Sequence, residues 1–542
     1  MNQTLEMAIT KKYLHLPIRT GAPRMLVRLA FEGKQVREFD AEIDPKAADF
    51  TAAADVTEFA GRTLELTLAP VPPIPDEPAV ALLPAGELSE MLEAIGQSDD
   101  LPDNGNLYEE HLRPQFHFTS KIGWNNDPNG LMYYDGEYHL FYQHNPFGWN
   151  HGNMHWGHAI SRDLVRWTET DEALFPDELG TMFSGSGVVD HGNTAGLQQG
   201  SEKTLVCIYT AAGGTSPWSA ESRFTQCIAY SVDRGKTWLK HPKNPVLGHI
   251  IGGNRDPKVI WHEPTKRWVM ALYLEEHDYA IYTSPNLVEW ERGSDLTIPG
   301  TTECPDLFDL PVDGDSNSAR WVFWGARGEY SIGGFDGRTF TVESGPHRFQ
   351  YGRNYAAQTW SDIPTSDGRR IQIAWLRGDK PGMPFNQQMS FPCELTLRDS
   401  TEGVRMFAEP VRELESLHVR RHEFDLASGA LAGLGDLLDI RLAIDLPTTR
   451  ILVRGVPIVY DRAAGTLTVG EDAAPLAPIA PALKLQILVD RSSIEVFAQD
   501  GAVTLSTAIV PSADAACIEL KTEGGARTAQ SVEVFELESS WR

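Results

Sequence analysis

The sequence predicts an all-β protein, and three observations predict it. Short runs that alternate apolar and polar residues occupy both ends of the 542-residue chain. The middle consists of Val-, Ile-, Tyr-, Phe- and Trp-rich runs broken by frequent turns, and long amphipathic helical patterns are nearly absent. Within that middle stretch one phrase recurs at regular intervals, the signature of a β-propeller.

Composition bounds the rest. Hydrophobic residues make up 41% and charged residues 23%, which fits a globular chain and not a disordered one. A prior of about 100–200 residues per domain gives three or four domains. With 47 basic against 75 acidic residues the net charge is −28. That balance argues against nucleic acid or an anionic membrane as partner, because phosphate recognition needs clustered Lys and Arg; a neutral substrate is indifferent to it. No apolar run reaches the roughly 18 residues of a membrane span. The five cysteines are scattered and form no CxxC pair, so neither a disulfide framework nor a thiolate metal site is expected. The first residues lack an apolar signal core, which predicts a cytoplasmic protein, or a secreted one whose signal has been removed.

Taken in chain order, residues 1–108 form the first module. The runs Tyr13–Leu16, Met25–Leu29 and Leu64–Leu68 read as short antiparallel strands, giving a small sandwich-like β domain. A Pro-rich stretch from Pro70 to Pro78, a short helical pattern around Glu87–Ile95 and an acidic linker over Asp99–Asn106 complete it.

Residues 109–410 form the second module. Ser161-Arg-Asp-Leu-Val-Arg-Trp167, Ser231-Val-Asp-Arg-Gly-Lys-Thr-Trp238 and Ser284-Pro-Asn-Leu-Val-Glu-Trp290 are one phrase, and Phe335-Asp-Gly-Arg-Thr-Phe340 is a weaker fourth copy. In each, an Asx side chain caps a turn and an aromatic residue packs inward at the next strand. The copies lie about 50–70 residues apart, the period of a four-stranded blade with its loops, so the module holds about five blades. Residues 411–542 lose their tryptophans until Trp541 and alternate in runs such as Asp439–Asp445, Leu485–Val489 and Ser493–Phe497, which reads as a C-terminal β-sandwich.

Chemistry is narrowed by elimination. There is no HExxH, no Walker loop, no GxGxxG between a strand and a helix, and no GxSxG elbow. His151, His155 and His158 cluster in sequence, but a strand over this stretch turns His155 and His158 to opposite faces, which is wrong for a metal site. Three carboxylates remain, each at a strand–turn boundary of a different blade: Asp127 in WNNDPNG (124–130), expected at a tight turn before a strand from Leu131; Asp256 beside Arg255 in NRDP (254–257); and Glu303 in TTECP (301–305). Read singly, each is as well explained by an Asx-Pro turn, a surface ion pair or an exposed loop acid. A propeller gathers such positions at one end of its central funnel. Two carboxylates about 5–5.5 Å apart in an aromatic funnel suit retaining glycoside hydrolysis, one ionised and one protonated near neutrality.

At these residues the chain resembles glycoside hydrolase family 32, the invertase, levanase and inulinase group. The resemblance rests on WNNDPNG (124–130), FYQHNP (141–146), WGHAISRDLVRW (156–167), FSGS (183–186), RDP (255–257), ECPDLF (303–308) and DRSSIEVF (490–497), in order and spacing. The additional N-terminal module and GMPFNQQMSFP (382–392) resemble the levanase-like branch. The resemblance implies a five-bladed propeller followed by a sandwich. It implies that Asp127 is the nucleophile, Glu303 the acid/base, and Asp256 the residue that holds sugar hydroxyls and stabilises the oxocarbenium ion, with Arg255 beside it. Asn126, Gln143, Phe183 and Ser184 would line the fructose subsite, and no metal or organic cofactor is implied. Two residues depart from the family pattern: Asn125 stands where Met is usual, and His151 where a tryptophan beside the leaving-group subsite is usual, which makes that edge more polar.

The expected activity is that of a retaining, exo-acting β-fructofuranosidase on levan, inulin and sucrose-type sugars. A fructosyltransferase shares every catalytic residue and differs only in acceptor. A carbohydrate-binding propeller without catalysis would have lost Asp127 or Glu303, and both are present.

Overall fold

The recurring phrase makes the same turn each time it occurs. In the first copy Ser161 Oγ accepts from Asp163 N (3.1 Å), Asp163 Oδ1 accepts from Val165 N and Arg166 N (3.1 and 2.8 Å), and Trp167 Nε1 donates to Leu164 O (3.0 Å). In the third copy Ser284, Asn286, Leu287 and Trp290 repeat those bonds. In the second, Asp233 caps Thr237 N and Trp238 Nε1 donates to Gly235 O. Asp336 caps Arg338 N and Thr339 N in the fourth. Each turn joins the third and fourth strands of a blade, so the repeat in the sequence is a repeat in the sheet.

The computed structural model describes residues 2–71, 85–102, 105, 107–423, 430–431, 433–444, 448–477, 482–511, 518–522 and 529–541. Most of the Pro-rich stretch, part of the acidic linker and Cys517 lie outside them. The inner strands of the five blades are Gly123–Tyr134, Thr181–Asp190, Arg255–His262, Asp306–Val312 and Asn354–Thr359. Each begins an antiparallel four-stranded sheet, and the fourth and fifth blades join through Val312 and Leu397. The first two inner strands approach so closely that a Cβ at Gly187 would sit 2.5 Å from Gly130 O; small residues there let the blades meet near the axis.

The N-terminal module packs a four-stranded sheet (Gln3–Ala8, Met25–Phe31, Lys34–Ala41, Thr63–Pro70) against a three-stranded one (Tyr13–Ile18, Phe50–Asp55, Gly96–Ser98). Leu14, Leu16, Val27, Leu29, Leu66 and Leu68 alternate inward, and the helix Ala85–Glu93 adds Leu88 and Leu92. The C-terminal sandwich pairs a seven-stranded sheet, whose edge strand Gln350–Gly352 comes from the propeller module, with a six-stranded sheet around Ile440, Ile451, Leu467, Ile487 and Val496.

A buried charge cluster fastens this sandwich to the propeller. His117 Nδ1 lies 2.8 Å from Asp490 Oδ2 and its Nε2 2.9 Å from Glu495 Oε1, both in the DRSSIEVF segment. Asp490 also accepts from the backbone N–H of Gln115 and Phe116, and Glu495 from Phe391 N (2.7 Å). Burial alone would push the imidazole down, but its bonds to Asp490 and Glu495 overcome it and hold the ring up at about 9. A His117→Ala protein leaves two buried carboxylates facing each other, and is expected to lose about 3–5 kcal/mol, seen as a lower denaturation midpoint. Because the folded-state value is raised above 6.5, the His117 contribution is complete below pH 6.5 and is lost as pH rises through about 9.

Candidate active site

Asp127 lies inside the strand Gly123–Tyr134 and not at a turn ahead of one, as its sequence suggested. The reason is a β-bulge: from Asn125 to Pro128 this strand holds one residue more than its partner does from His144 to Tyr142. An Asp-Pro pair reads as a turn, yet Pro is tolerated within a strand at a bulge, where no ladder N–H is required. The same extra residue occurs between Arg255 and Lys258, around Asp256-Pro257, between Tyr355 and Gln358, and between Phe183 and Gly185. Four of the five inner strands therefore bend at one level of the funnel, and the side chains they re-aim are Asp127, Ser184, Asp256 and their neighbours. Glu303 sits in the turn before the fourth inner strand. Asp256, Glu303, Cys304 and Ala356 have φ of 63°, 51°, 40° and 52°, a conformation that non-glycine residues hold only under constraint from their surroundings.

The site is one connected set of contacts. Asp127 Oδ2 accepts from Ser184 Oγ at 2.7 Å, and Oδ1 from Asn126 Nδ2 at 3.2 Å. Asp256 Oδ2 accepts from Cys304 N at 3.0 Å and lies 3.7 Å from Arg255 Nε. Arg255 donates to Glu303 Oε1, Tyr355 Oη donates to Glu303 Oε2, and the Arg255 guanidinium lies over the Tyr273 ring at 4.8 Å. The Cys304 thiol contacts Asp127 Oδ2 (3.7 Å) and Asp256 Oδ2 (3.5 Å), filling the gap between the two carboxylates.

Electrostatics follow from crowding three acids together, two of them beside the Arg255 guanidinium. Burial raises the Asp127 carboxyl, and Ser184 and Asn126 partly offset this by bonding to its ionised form, with Glu303 adding repulsion. Burial pushes Asp256 up to about 7, opposed by Arg255 and reinforced by Asp127 and Glu303. Burial drives the Cys304 thiol well up, so it packs as a neutral group. A Ser184→Ala protein loses one hydrogen bond to a charged group. It is expected to lose about 10–100-fold in kcat/KM, with the acid limb of its pH profile moved upward because the bond that favours ionised Asp127 is gone.

Below this level a second set of polar contacts ties the blades together. Lys258 Nζ, buried, donates to Thr359 O (2.7 Å) and pairs with Asp306 (3.1 Å), whose Oδ2 accepts from Thr359 N (2.8 Å). Ser186 Oγ donates to Pro257 O, and Gln358 Nε2 to Gly185 O. Residues two beyond the bulged positions share their face of the strand, so the same alternation that aims acids into the funnel aims these staples beneath them.

Other residues singled out in the sequence distribute around this centre. Gln143, buried, donates to Met182 O (2.7 Å) across the first two blades. Phe183 presents its ring edge-on to Phe224 (5.6 Å), and its carbonyl accepts from Trp156 Nε1. His151, exposed, stands edge-on to Trp124 at 6.2 Å, and Trp124 Nε1 donates to Asn126 Oδ1 (2.8 Å). The surrounding rim takes water from one side of the His151 ring and lowers the imidazole, and the Asp127 charge counters this. Asn125, buried, fits its amide to the carbonyls of Asn386 (3.0 Å) and Gln387 (3.3 Å). His155 packs against Phe147 and Phe175, whereas His158 stacks on Phe141 and meets His139 at 3.0 Å. Among the described residues no group of His, Cys, Asp or Glu is arranged to hold a metal ion.

Sequence reasoning missed Tyr355, Cys304 and Trp375. Trp375 forms the rim with Trp124 (5.9 Å) and Tyr355 (6.1 Å), each edge to face. The available signal was the pair Cys304-Pro305, which matches Asp127-Pro128 and Asp256-Pro257; Tyr355, in a bulged strand with no such pair to mark it, carries none.

Comparison with known proteins gives the same arrangement a family. The family described as "Glycosyl hydrolases family 32 N-terminal domain" matches residues 117–410, and "Glycosyl hydrolases family 32 C terminal" matches residues 452–536. A levanase of Bacillus subtilis (strain 168) is 39% identical over 509 residues, covering 83% of this chain and 74% of its own. An extracellular exo-inulinase of Aspergillus awamori is 31% identical over 518 residues, covering 80% of this chain and 96% of its own. The crystal structure of exo-inulinase from Aspergillus awamori superposes with a TM-score of 0.71 at 29% identity, over 80% of this chain and 100% of that one. A fructofuranosidase from Schwanniomyces occidentalis complexed with fructose gives 0.70 at 27% identity, over 79% and 98%.

Proposed function

The chain belongs to glycosyl hydrolase family 32, in its levanase-like branch, and from that premise we propose that it is a retaining, exo-acting β-fructofuranosidase. Its substrates are the terminal non-reducing β-D-fructofuranosyl residues of levan, inulin and sucrose-type oligosaccharides. The observation that carries this reading is the convergence of Asp127, Asp256 and Glu303 from separate blades around Arg255 and the Cys304 thiol.

In the first step Asp127 attacks the anomeric carbon of the fructosyl residue while Glu303 protonates the departing oxygen. The bonds from Ser184 and Asn126 keep the attacking carboxylate fixed and favour its charge. Asp256, with a value near 7, hydrogen-bonds sugar hydroxyls and lies against the ring as positive charge develops. In the second step Glu303, now ionised and held by Arg255 and Tyr355, takes a proton from water, which displaces Asp127. Exo action is supported by a floor closed by Pro128, Gly185, Pro305, Ala356 and Gln358, which suits a chain end better than a chain interior.

Chromatography of products from sucrose, inulin and levan, incubated separately, tests this reading. Fructose is expected as the sole early product of both polymers; a ladder of oligosaccharides would contradict exo action. Transfer to a sugar acceptor uses the same steps. Its support is the polar His151 at the rim where water and a second sugar compete, and new oligosaccharides at high sucrose would reveal it.

A further inference from the structure

The N-terminal module lies outside both family matches and meets the propeller in two places: Lys12, Tyr13 and Arg37 reach Asp171 and Phe175 in the loop after the strand Trp167–Glu169, and a second set of contacts faces the active-site rim. Three successive residues of its strand Lys34–Ala41 make the second set. The Phe39 ring stacks on Phe147, centroids 3.8 Å apart at 18°, and both are buried. Asp40 clasps the side-chain amide of Asn153 from both sides: Asp40 N donates to Asn153 Oδ1 (2.8 Å), and Asn153 Nδ2 donates to Asp40 O (2.7 Å). Glu38, buried and paired with Arg28 (2.8 Å), accepts from Trp218 N at 2.7 Å.

These residues hold two loops. One is the segment from Asn145 to Asn153, which contains His151. On the propeller side Asn145 Nδ2 donates to Asn150 O (2.8 Å) and Asn386 Nδ2 to Trp149 O (3.1 Å), so the loop is gripped from both flanks. Asn153 itself holds φ at 47°, a turn conformation that Asn tolerates, and its side-chain amide bonds to Asp40 and to Asn145 Oδ1 (3.1 Å). The other loop carries Trp218 and leads to Phe224, the ring that meets Phe183. From His151 the contacts continue through Trp124 to Asn126 and so to Asp127.

We propose that the N-terminal module is a brace for the leaving-group side of the active site: Phe39 and Asp40, acting through Phe147 and Asn153, position His151 against the sugar that departs from fructose. Phe39 and Asn153 are thus positioning residues, and His151 is the residue that touches the leaving-group sugar. This rests on the fructosidase reading above. A rim residue that binds the leaving group equally in ground and transition states changes KM and leaves kcat in place.

Two conservative variants test it: Phe39→Leu, which keeps an apolar side chain and loses the stack, and Asn153→Asp, which keeps the acceptor for Asp40 N–H and loses the donor to Asp40 O and Asn145 Oδ1. Each is expected to raise KM for sucrose about 3–10-fold with kcat within about twofold. His151→Ala is expected to raise KM as well, and Asn153→Asp added to it to produce little further change, because the two act in series. Unchanged KM in both single variants overturns the brace. So do fully additive effects in the double variant, or a lowered melting temperature with wild-type KM, which would make the contact purely structural. The same comparison read by calorimetric sucrose binding to proteins that also carry Asp127→Asn needs no turnover, so failure of the brace is separable from failure of the assigned activity.

Discussion

Replacing Asp127 by Asn is expected to lower kcat for fructose release by roughly 10⁴–10⁶-fold, the loss seen when the nucleophile of a covalent mechanism is removed. The amide is nearly isosteric, and its oxygen still accepts from Ser184, so KM for sucrose is expected to change little. Stability is expected to hold or rise, because burial and Glu303 both work against the Asp127 charge, and a neutral amide relieves them. Steady-state kinetics and a thermal melt on the same preparation check both parts. Release at the wild-type rate would remove Asp127 from the mechanism, whereas loss of activity with a collapsed melt would make the residue structural.

Glu303→Gln is the second large effect, about 10²–10⁴-fold in kcat, the usual range for a general acid–base group. Arg255 and Tyr355 still find acceptor or donor partners on the amide, so the pocket is expected to keep its shape. The loss should depend on the leaving group. Sucrose and fructans need a proton at the departing oxygen and are expected to lose the full factor. A fructoside with an activated phenolate leaving group does not need one, and is expected to form the fructosyl-enzyme at near-normal rate and then stall, since no base remains to activate water. Azide, which needs no base, is expected to restore turnover and yield a fructosyl azide. An equal loss on both substrates, with no azide effect, would take the acid–base role away from Glu303.

The sequence made the fold legible where side-chain chemistry and local geometry coincide. Ser161, Asp163 and Trp167 announce a turn by their own hydrogen bonds, and its recurrence carried the blade count. The alternation of Leu14, Leu16 and Ile18 announced the N-terminal sheets because strand periodicity writes burial directly into residue order. The three acids were legible for a different reason: two of them precede Pro, and a carboxylate-Pro pair is conspicuous in any strand-rich stretch. What such a pair does was less legible. A turn and a bulge both accommodate the missing N–H of Pro128, and only the partner strand, with its count of residues from His144 to Tyr142, distinguishes them. Tyr355 reaches Glu303 through closure of the fifth blade beside the fourth, a contact between residues 52 positions apart that no local pattern encodes. The brace at Phe39 and Asp40 is hidden for the same reason, with Asp40 and Asn153 113 positions apart and a backbone donor at one end.

The anomeric configuration of the first product tests the central assignment most directly. With Asp127 as nucleophile the bond to fructose is broken twice, each time with inversion, so net configuration is retained. Proton NMR during turnover in dilute methanol, which traps the sugar before it mutarotates, is expected to show methyl β-D-fructofuranoside. Methyl α-D-fructofuranoside would mean a single displacement by the acceptor itself, and would contradict a fructosyl-enzyme on Asp127.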